Sequence, residues 1–321
     1  MNKMVDHNEW TLDPGKIYLR EVHKRVDERP AASEARLERA TLEEQQLVFE
    51  SLAGRDQALH DGIFLLTIPD SIDFSACDHF SRQFFTGDDA LPYGRYRTMT
   101  GIRFGDPLLG YHERVNQIEQ FLLERRFWQK VYPAEIEACG LALTGIAGRV
   151  LRAILMLTDV PVRDWDEATG GCSAEAGSYH LTFNHYRPSL PGIGLSSHKD
   201  DGFMTILRIT SPGLEINRHD RWEAVTPDPA CFIVNFGLSM EILTRRSSRP
   251  VSAIMHRVQH QTADRFSFGH FSSSFCEPGA EAGIHGYDSE SGLRRICSSR
   301  ELIDANDNEI YQGTQGGEAA S

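Results

Sequence analysis

The chain has 321 residues, 40% hydrophobic and 25% charged, with a formal net charge of −13. That composition suits a globular chain of one large or two small domains, not a disordered or fibrous one. The acidic balance argues against extended contact with phosphate backbones, which needs clustered Lys and Arg, so no nucleic-acid partner is expected. No run approaches the roughly 18 apolar residues of a membrane span, and the opening MNKMVDHNEW lacks the apolar stretch of a signal peptide. A cytoplasmic protein without a membrane partner is the expectation. The six cysteines are scattered singly with no CxxC pair, which leaves them as buried or free thiols rather than a zinc site.

Residues 1 to about 40 are polar without a sustained period and read as a loosely ordered lead-in. The pattern from Leu42 to Leu59 suits a helix, and DGIFLLTIPD reads as a turn, a short buried strand and a Pro stop. Residues 87–110 are rich in Gly, Pro, Tyr and Arg, which is the chemistry of a long binding loop. Two helices are expected next. In the second, Pro133 suits the first turn, and Ile136, Cys139, Leu143, Ile146, Val150, Ile154 and Leu157 recur at three or four residues as one apolar stripe. Asp159-Val160-Pro161 ends it.

Beyond Gly170 the character changes. Seven short β-rich runs follow, separated by Gly, Pro, Asn and Asp: SYHLTFNHY, GFMTILRI, GLEIN, RWEAV, ACFIVNF, VSAIMHRV and RFSFGHF. Such spacing predicts a sandwich or jelly roll. The fold class is therefore mixed α+β, a jelly-roll core with an N-terminal helical layer. Residues 1–170 form the helical and loop region, 171–276 the core, and 277–321 a polar tail that contains a helix and ends in QGGEAAS.

The chemistry centres on SSHKDDGFMTIL. Residues i and i+2 of a strand share a face, so His198 and Asp200 can converge on one ion while Asp201 points away. Alone, a solvated acidic turn explains HxD equally well. His256, 58 residues further on in SAIMHRV, supplies a third ligand. Two histidines and one carboxylate form the facial triad of non-haem Fe(II) oxygenases, with positions open for substrate and O2. Zinc hydrolysis would want an HExxH-type helix, which is missing. Arg265 and Ser267 share a strand face and make a carboxylate clamp. Asn184 and Tyr186 share a face with Thr182 and His180, polar groups turned into an apolar barrel. His270 alternates away from Arg265 and is left out of the site.

NHYRP, SSHKDDGFMTIL, GLEI, RWEAVTPDPACFIVNFGLSMEILT, IMHRV and RFSF together resemble the isopenicillin N synthase-like family of Fe(II)- and 2-oxoglutarate-dependent dioxygenases, over about residues 178–275. The resemblance implies a double-stranded β-helix, with Fe(II) held by His198, Asp200 and His256. It implies that Arg265 and Ser267 bind the distal carboxylate of 2-oxoglutarate, with Asn184 and Tyr186 near its chelating end. The implied activity is hydroxylation, desaturation or cyclisation of a small molecule, in specialised metabolism. Halogenation ranks low, because Asp200 fills the place a halide would need. In this family N-terminal loops and the C-terminal tail cover the pocket, which makes Tyr93, Arg95, Tyr96, Arg97 and Arg103 candidates to read the substrate. The chain departs from the family at Arg187, Leu238 and the SSSF run after Phe271, which bears on the subfamily and so on the substrate. Two alternatives stand beside this reading: a same-fold oxidase that does not use 2-oxoglutarate, and a non-catalytic binding protein. Oligomeric state is not read from the sequence.

Overall fold

The computed structural model describes residues 29–311. Two sheets dominate. The major sheet holds β2 (Arg39–Glu43), β3 (Gln46–Phe49), β4 (Ile63–Thr67), β5 (Gly110–Glu113), β6 (Ile118–Glu124), β7 (Ser178–Tyr186), β9 (Met204–Ile209), β12 (Cys231–Phe236) and β14 (Arg265–Ser273), in the spatial order β3-β2-β4-β12-β9-β14-β7-β6-β5. The minor sheet runs β1 (Ser33–Glu34), β11 (Arg221–Ala224), β10 (Leu214–Arg218), β13 (Met255–Val258) and β8 (Leu195–His198).

The major sheet is covered on both faces, so its central strands read as near-continuous apolar runs. CFIVNF of β12 is buried at all six positions. One face packs with the minor sheet through Ile209, Ile233, Leu214, Ile216 and Val258. The other packs under helices through Phe121, Phe183, Phe268 and the helix residues Val150 and Ile154. This division sets the site: side chains of β7 and β14 facing the minor sheet line a cavity, and their neighbours support it from behind.

The long helix expected after Pro133 spans Ala134–Leu155, with Pro133 itself as its N-cap. Its stripe from Ile136 to Ile154 is buried as predicted, while Leu157 lies past its end and packs part-buried on the same core. Gly140 lets it close on Trp128: a Cβ there would lie 2.7 Å from the indole. This helix is long and apolar enough to cross a membrane, contrary to the expectation that no segment is, but two-thirds of its apolar window is buried inside the fold. Its hydrophobicity is thus spent on the core.

Three sequence expectations change. Leu42–Leu59 is not one helix: β2 and β3 pair as a hairpin, Leu42 opposite Leu47, with Glu44 left-handed at φ 50° in the turn. The helix begins only at Leu52, behind the cap of the Ser51 hydroxyl on Gly54 N–H, and stops at Gly62. Strands of five and four residues are too short for periodicity to separate from helix. Of the two helices expected after residue 110, the first is Arg125–Val131, and the β5–β6 hairpin at residues 110–124 precedes it without having been expected. The N-terminal region is therefore not simply a helical layer, for it adds five strands to the major sheet. The lead-in assigned to residues 1–40 falls mostly outside the described residues, and from Arg39 it is strand.

Behind the minor sheet, Glu215 and Arg257 form an ion pair at 2.7 Å with both side chains almost fully buried, and Arg257 stacks 4.0 Å from the Trp222 ring centre. Arg257→Ala leaves the Glu215 carboxylate buried without its cation. It should lower unfolding free energy by about 3–5 kcal/mol in chemical denaturation, whereas a surface pair would cost under about 1 kcal/mol.

Candidate active site

The antiparallel register of β8 and β13 sets His198 opposite His256, ring centres 4.3 Å apart. Asp200 lies two residues past the end of β8, where its carbonyl accepts from Leu238 N–H at 2.7 Å. Gly237 permits that approach, since a Cβ there would collide with the carbonyls of Asp200 and Gly202. Asp200 Oδ1 comes to 3.5 Å from His198 Nε2 and 3.7 Å from His256 Nε2. One ligand atom from each of the three residues falls within 4.8 Å of the others, close enough for a single ion.

The surrounding bonds choose which atoms face that ion. His198 Nδ1 meets the Ser196 carbonyl at 2.8 Å and His256 Nδ1 the Ile254 carbonyl at 3.3 Å. A carbonyl only accepts, so each Nδ1 carries the proton and each Nε2 presents a lone pair inward. Asp200 Oδ2 accepts from the Thr205 hydroxyl at 2.5 Å and from Asn235 Nδ2 at 2.7 Å, which leaves Oδ1 for the ion. Burial opposes ionisation of Asp200, but His256, His198 and Thr205 together hold its carboxyl well below the usual range. Burial, then His198, pushes His256 down to about 4, so its imidazole is neutral near pH 7. The donor set fits Fe(II), whose preferred two-histidine, one-carboxylate face leaves the opposite side open. Thr205 and Asn235 had no signal in the sequence beyond their strand positions. Thr205→Val should weaken Fe(II) binding by about 10- to 100-fold in a chelator competition, because Oδ2 then competes with Oδ1 for the ion.

Opposite the triad, on the major sheet, Arg265 pairs in register with Tyr186 and Ser267 with Asn184. Arg265 is 2% exposed. Its Nε donates to the Pro212 carbonyl at 2.9 Å and its guanidinium lies 4.7 Å from the Tyr186 ring centre, yet Nη1 has no acceptor. A buried cationic donor without a partner calls for an anion. Asn184 is set by a chain of bonds: its Nδ2 donates to Ser267 Oγ at 3.2 Å, and its Oδ1 accepts from Gln120 Nε2 at 3.0 Å. Gln120 Oε1 in turn accepts from the Tyr311 hydroxyl at 2.9 Å.

Triad and clamp line one cavity, an empty volume of about 1160 Å³ that includes its open mouth. Leu195, Leu207, Leu214 and Val258 make the apolar wall around the clamp. His180 and Thr182 face the same cavity, while His270 turns away and meets Thr144 of the long helix at 2.9 Å. Asp201 also reaches the cavity, rather than pointing clear of it as strand alternation predicts, because the strand has already ended at His198.

None of the five loop residues expected to read the substrate lines the cavity. Tyr93 and Tyr96 pack around Phe80, ring centres 5.1 and 4.6 Å away, on the helical side of the major sheet. Arg95 lies against the Tyr96 ring, Arg97 pairs with Glu113 at 2.8 Å, and Arg103 is exposed in a short helical turn. The loop spends its aromatics on the core. The residues that do line this end, missed in the sequence, are Leu108, Arg114, Gln120 and Leu122 around the β5–β6 hairpin, and Ile303, Asn306, Asp307, Ile310 and Tyr311 of the C-terminal helix Ser299–Tyr311. That helix is the one the tail was expected to contain, and its i, i+3, i+4, i+7 spacing was the available signal.

Residues 178–274 match the family described as the 2OG-Fe(II) oxygenase superfamily. That stretch, just under a third of the chain, carries the sequence pattern of the superfamily. It is 35% identical over 129 residues to "Jasmonate-induced oxygenase 2" of Arabidopsis thaliana, covering 38% of this chain and 33% of that protein. It is 26% identical over 242 residues to "2-oxoglutarate-dependent dioxygenase 21, chloroplastic" of Oryza sativa subsp. japonica, covering 72% of this chain and 64% of the relative. The matched regions thus span a third to under two-thirds of these relatives. In fold, the solved structure of JOX2 in complex with 2OG, Fe and JA is similar at a TM-score of 0.65 and 20% identity, covering 88% of this chain and 92% of that one. The rice dioxygenase for auxin oxidation is similar at 0.60 and 19%, covering 88% and 98%. The core of the fold is a double-stranded β-helix, as the resemblance implied.

Proposed function

We propose that this chain is an Fe(II)- and 2-oxoglutarate-dependent oxygenase that hydroxylates, desaturates or cyclises a small molecule. The observation that carries the reading is Arg265: a buried guanidinium with an unpaired Nη1, in the same cavity as three ligand atoms arranged for one ion. The residues fit both groups. His198, Asp200 and His256 would hold the metal, and Arg265 with Ser267 would take the distal carboxylate of 2-oxoglutarate, with the Tyr186 ring beside it. The bound Fe(II) would supply the coupled oxidation of 2-oxoglutarate and of a substrate C–H bond by O2. The protein's own part is placement. Thr205 and Asn235 fix which carboxylate oxygen points at the ion, and the leucine wall keeps water from the clamp.

The same-fold oxidase reading gains no support from an anion clamp left unpaired. Relatives include "Codeine O-demethylase" of Papaver somniferum, which supports a small-molecule substrate and a place in specialised metabolism. A cytoplasmic location belongs to the same proposal and is tested by cell fractionation. The enzymatic test is aerobic incubation with Fe(II) and labelled 2-oxoglutarate. Succinate formed in the parent and absent in His256→Ala supports the reading, and no succinate under stimulation by any of a broad small-molecule panel contradicts it.

A further inference from the structure

The face of β7 that carries Asn184 and Tyr186 at the clamp carries Thr182 and His180 at the other end of the cavity. Thr182 is 1% exposed and its hydroxyl has no hydrogen-bond partner. Its cross-strand neighbour on β14 is Gly269, which has no side chain to fill the space or to bond the hydroxyl. His180 is half-buried and lines the cavity, and among the described residues no hydrogen bond to its ring is formed. Burial pushes the imidazole down to about 4, so near pH 7 it offers one N–H donor and one nitrogen acceptor. A buried hydroxyl left unbonded costs free energy unless a ligand meets it.

The charged groups nearby are already engaged. Arg114 reaches Asp307 at 3.6 Å, its Nε donates to Gln120 at 3.2 Å, and its guanidinium lies 3.8 Å from the Tyr311 ring centre. Asp201 accepts from Asn306 at 3.4 Å. The substrate end thus presents open neutral hydrogen-bonding groups, an arginine already paired, and the Asp201 carboxylate held by an amide.

We propose that His180 and Thr182 form the polar subsite that reads the substrate, and that they take an uncharged oxygen function, a hydroxyl or a carbonyl. The subsite rests on the oxygenase reading of the cavity. A hydroxyl or ketone satisfies both residues, because each can donate and accept. A carboxylate arrives without a free cation, and an ammonium finds only the Asp201 carboxylate, already bonded to Asn306, so neither recovers its desolvation as fully as a neutral oxygen function does. The rest of the substrate is apolar, matching Leu108, Leu122, Phe271 and Ile303.

The test titrates cyclohexanol, cyclohexanone, cyclohexanecarboxylate and cyclohexylammonium onto protein holding Zn(II) and 2-oxoglutarate, followed by ligand-observed NMR. The alcohol and the ketone should bind about tenfold more tightly than the two ions. Their dissociation constants should rise about fivefold in Thr182→Val and in His180→Phe, the factor for one net hydrogen bond. Both variants should still show the visible band of the anaerobic Fe(II)–2-oxoglutarate complex, which certifies fold and clamp. Tighter binding of either ion, unchanged alcohol affinity in both variants, or no binding of any probe to protein that shows the band overturns the subsite. Loss of the band in the parent protein overturns the oxygenase reading beneath it.

Discussion

Asp200→Ala should bind Fe(II) more than about 100-fold more weakly than the parent in an anaerobic chelator competition, and turnover should fall to background. The estimate follows from position. Loss of a group that merely supports a ligand costs about 10- to 100-fold, and Asp200 is the ligand itself, the only carboxylate among the three. The substitution also removes the negative charge that compensates the cation, and leaves Thr205 and Asn235 without their shared acceptor. Asp200→Asn separates these effects. The amide keeps the shape and can still accept from Thr205, but it carries no charge, so metal binding should fail while the protein stays folded. Near-parent iron affinity in Asp200→Asn would mean that the triad is not the metal centre.

The second large effect concerns the clamp, and it has two signs. Arg265→Leu should raise the 2-oxoglutarate dissociation constant by roughly 100-fold, the cost of about 3 kcal/mol for one buried charged partner. In the metal-free protein without co-substrate, the same change should leave the melting temperature unchanged or raise it. There the guanidinium is buried beside Tyr186 and bonded to the Pro212 carbonyl, with Nη1 unpaired. Burial lowers the Arg265 pKa, the mark of a charge held against desolvation. Replacing such a group with an apolar one of similar size is often neutral or stabilising. Lost affinity together with retained stability identifies a binding residue. A large loss of stability would instead make Arg265 a structural one.

The sequence exposed the site where residue type and strand parity carry the information. His198, Asp200 and His256 are rare donor types at short spacing, and Arg265-x-Ser267 and Asn184-x-Tyr186 obey the two-residue period of β14 and β7. The same parity correctly set His270 outside the cavity. It failed for Asp201, because the strand stops at His198 and period two stops with it. It also missed Thr205 and Asn235, whose role depends on two further strands being brought to Asp200. The substrate end failed for a different reason. A loop rich in Tyr and Arg looks the same whether its aromatics face a ligand or a core, and here Phe80 gathers them. The walls come from the β5–β6 hairpin, for which no strand was expected, and from the C-terminal helix, which starts 175 residues after that hairpin ends (299 − 124). Only the tertiary fold, seen in the bond from Tyr311 to Gln120, joins them.

The most direct test is spectroscopic. Metal-free protein is loaded with Fe(II) under anaerobic conditions, and 2-oxoglutarate is titrated in while the visible spectrum is recorded. A metal-to-ligand charge-transfer band should grow and saturate in the parent, be absent in His256→Ala, and need about 100-fold more 2-oxoglutarate in Arg265→Leu. Iron binding without a band would contradict the 2-oxoglutarate site, and failure to bind iron at all would contradict the triad.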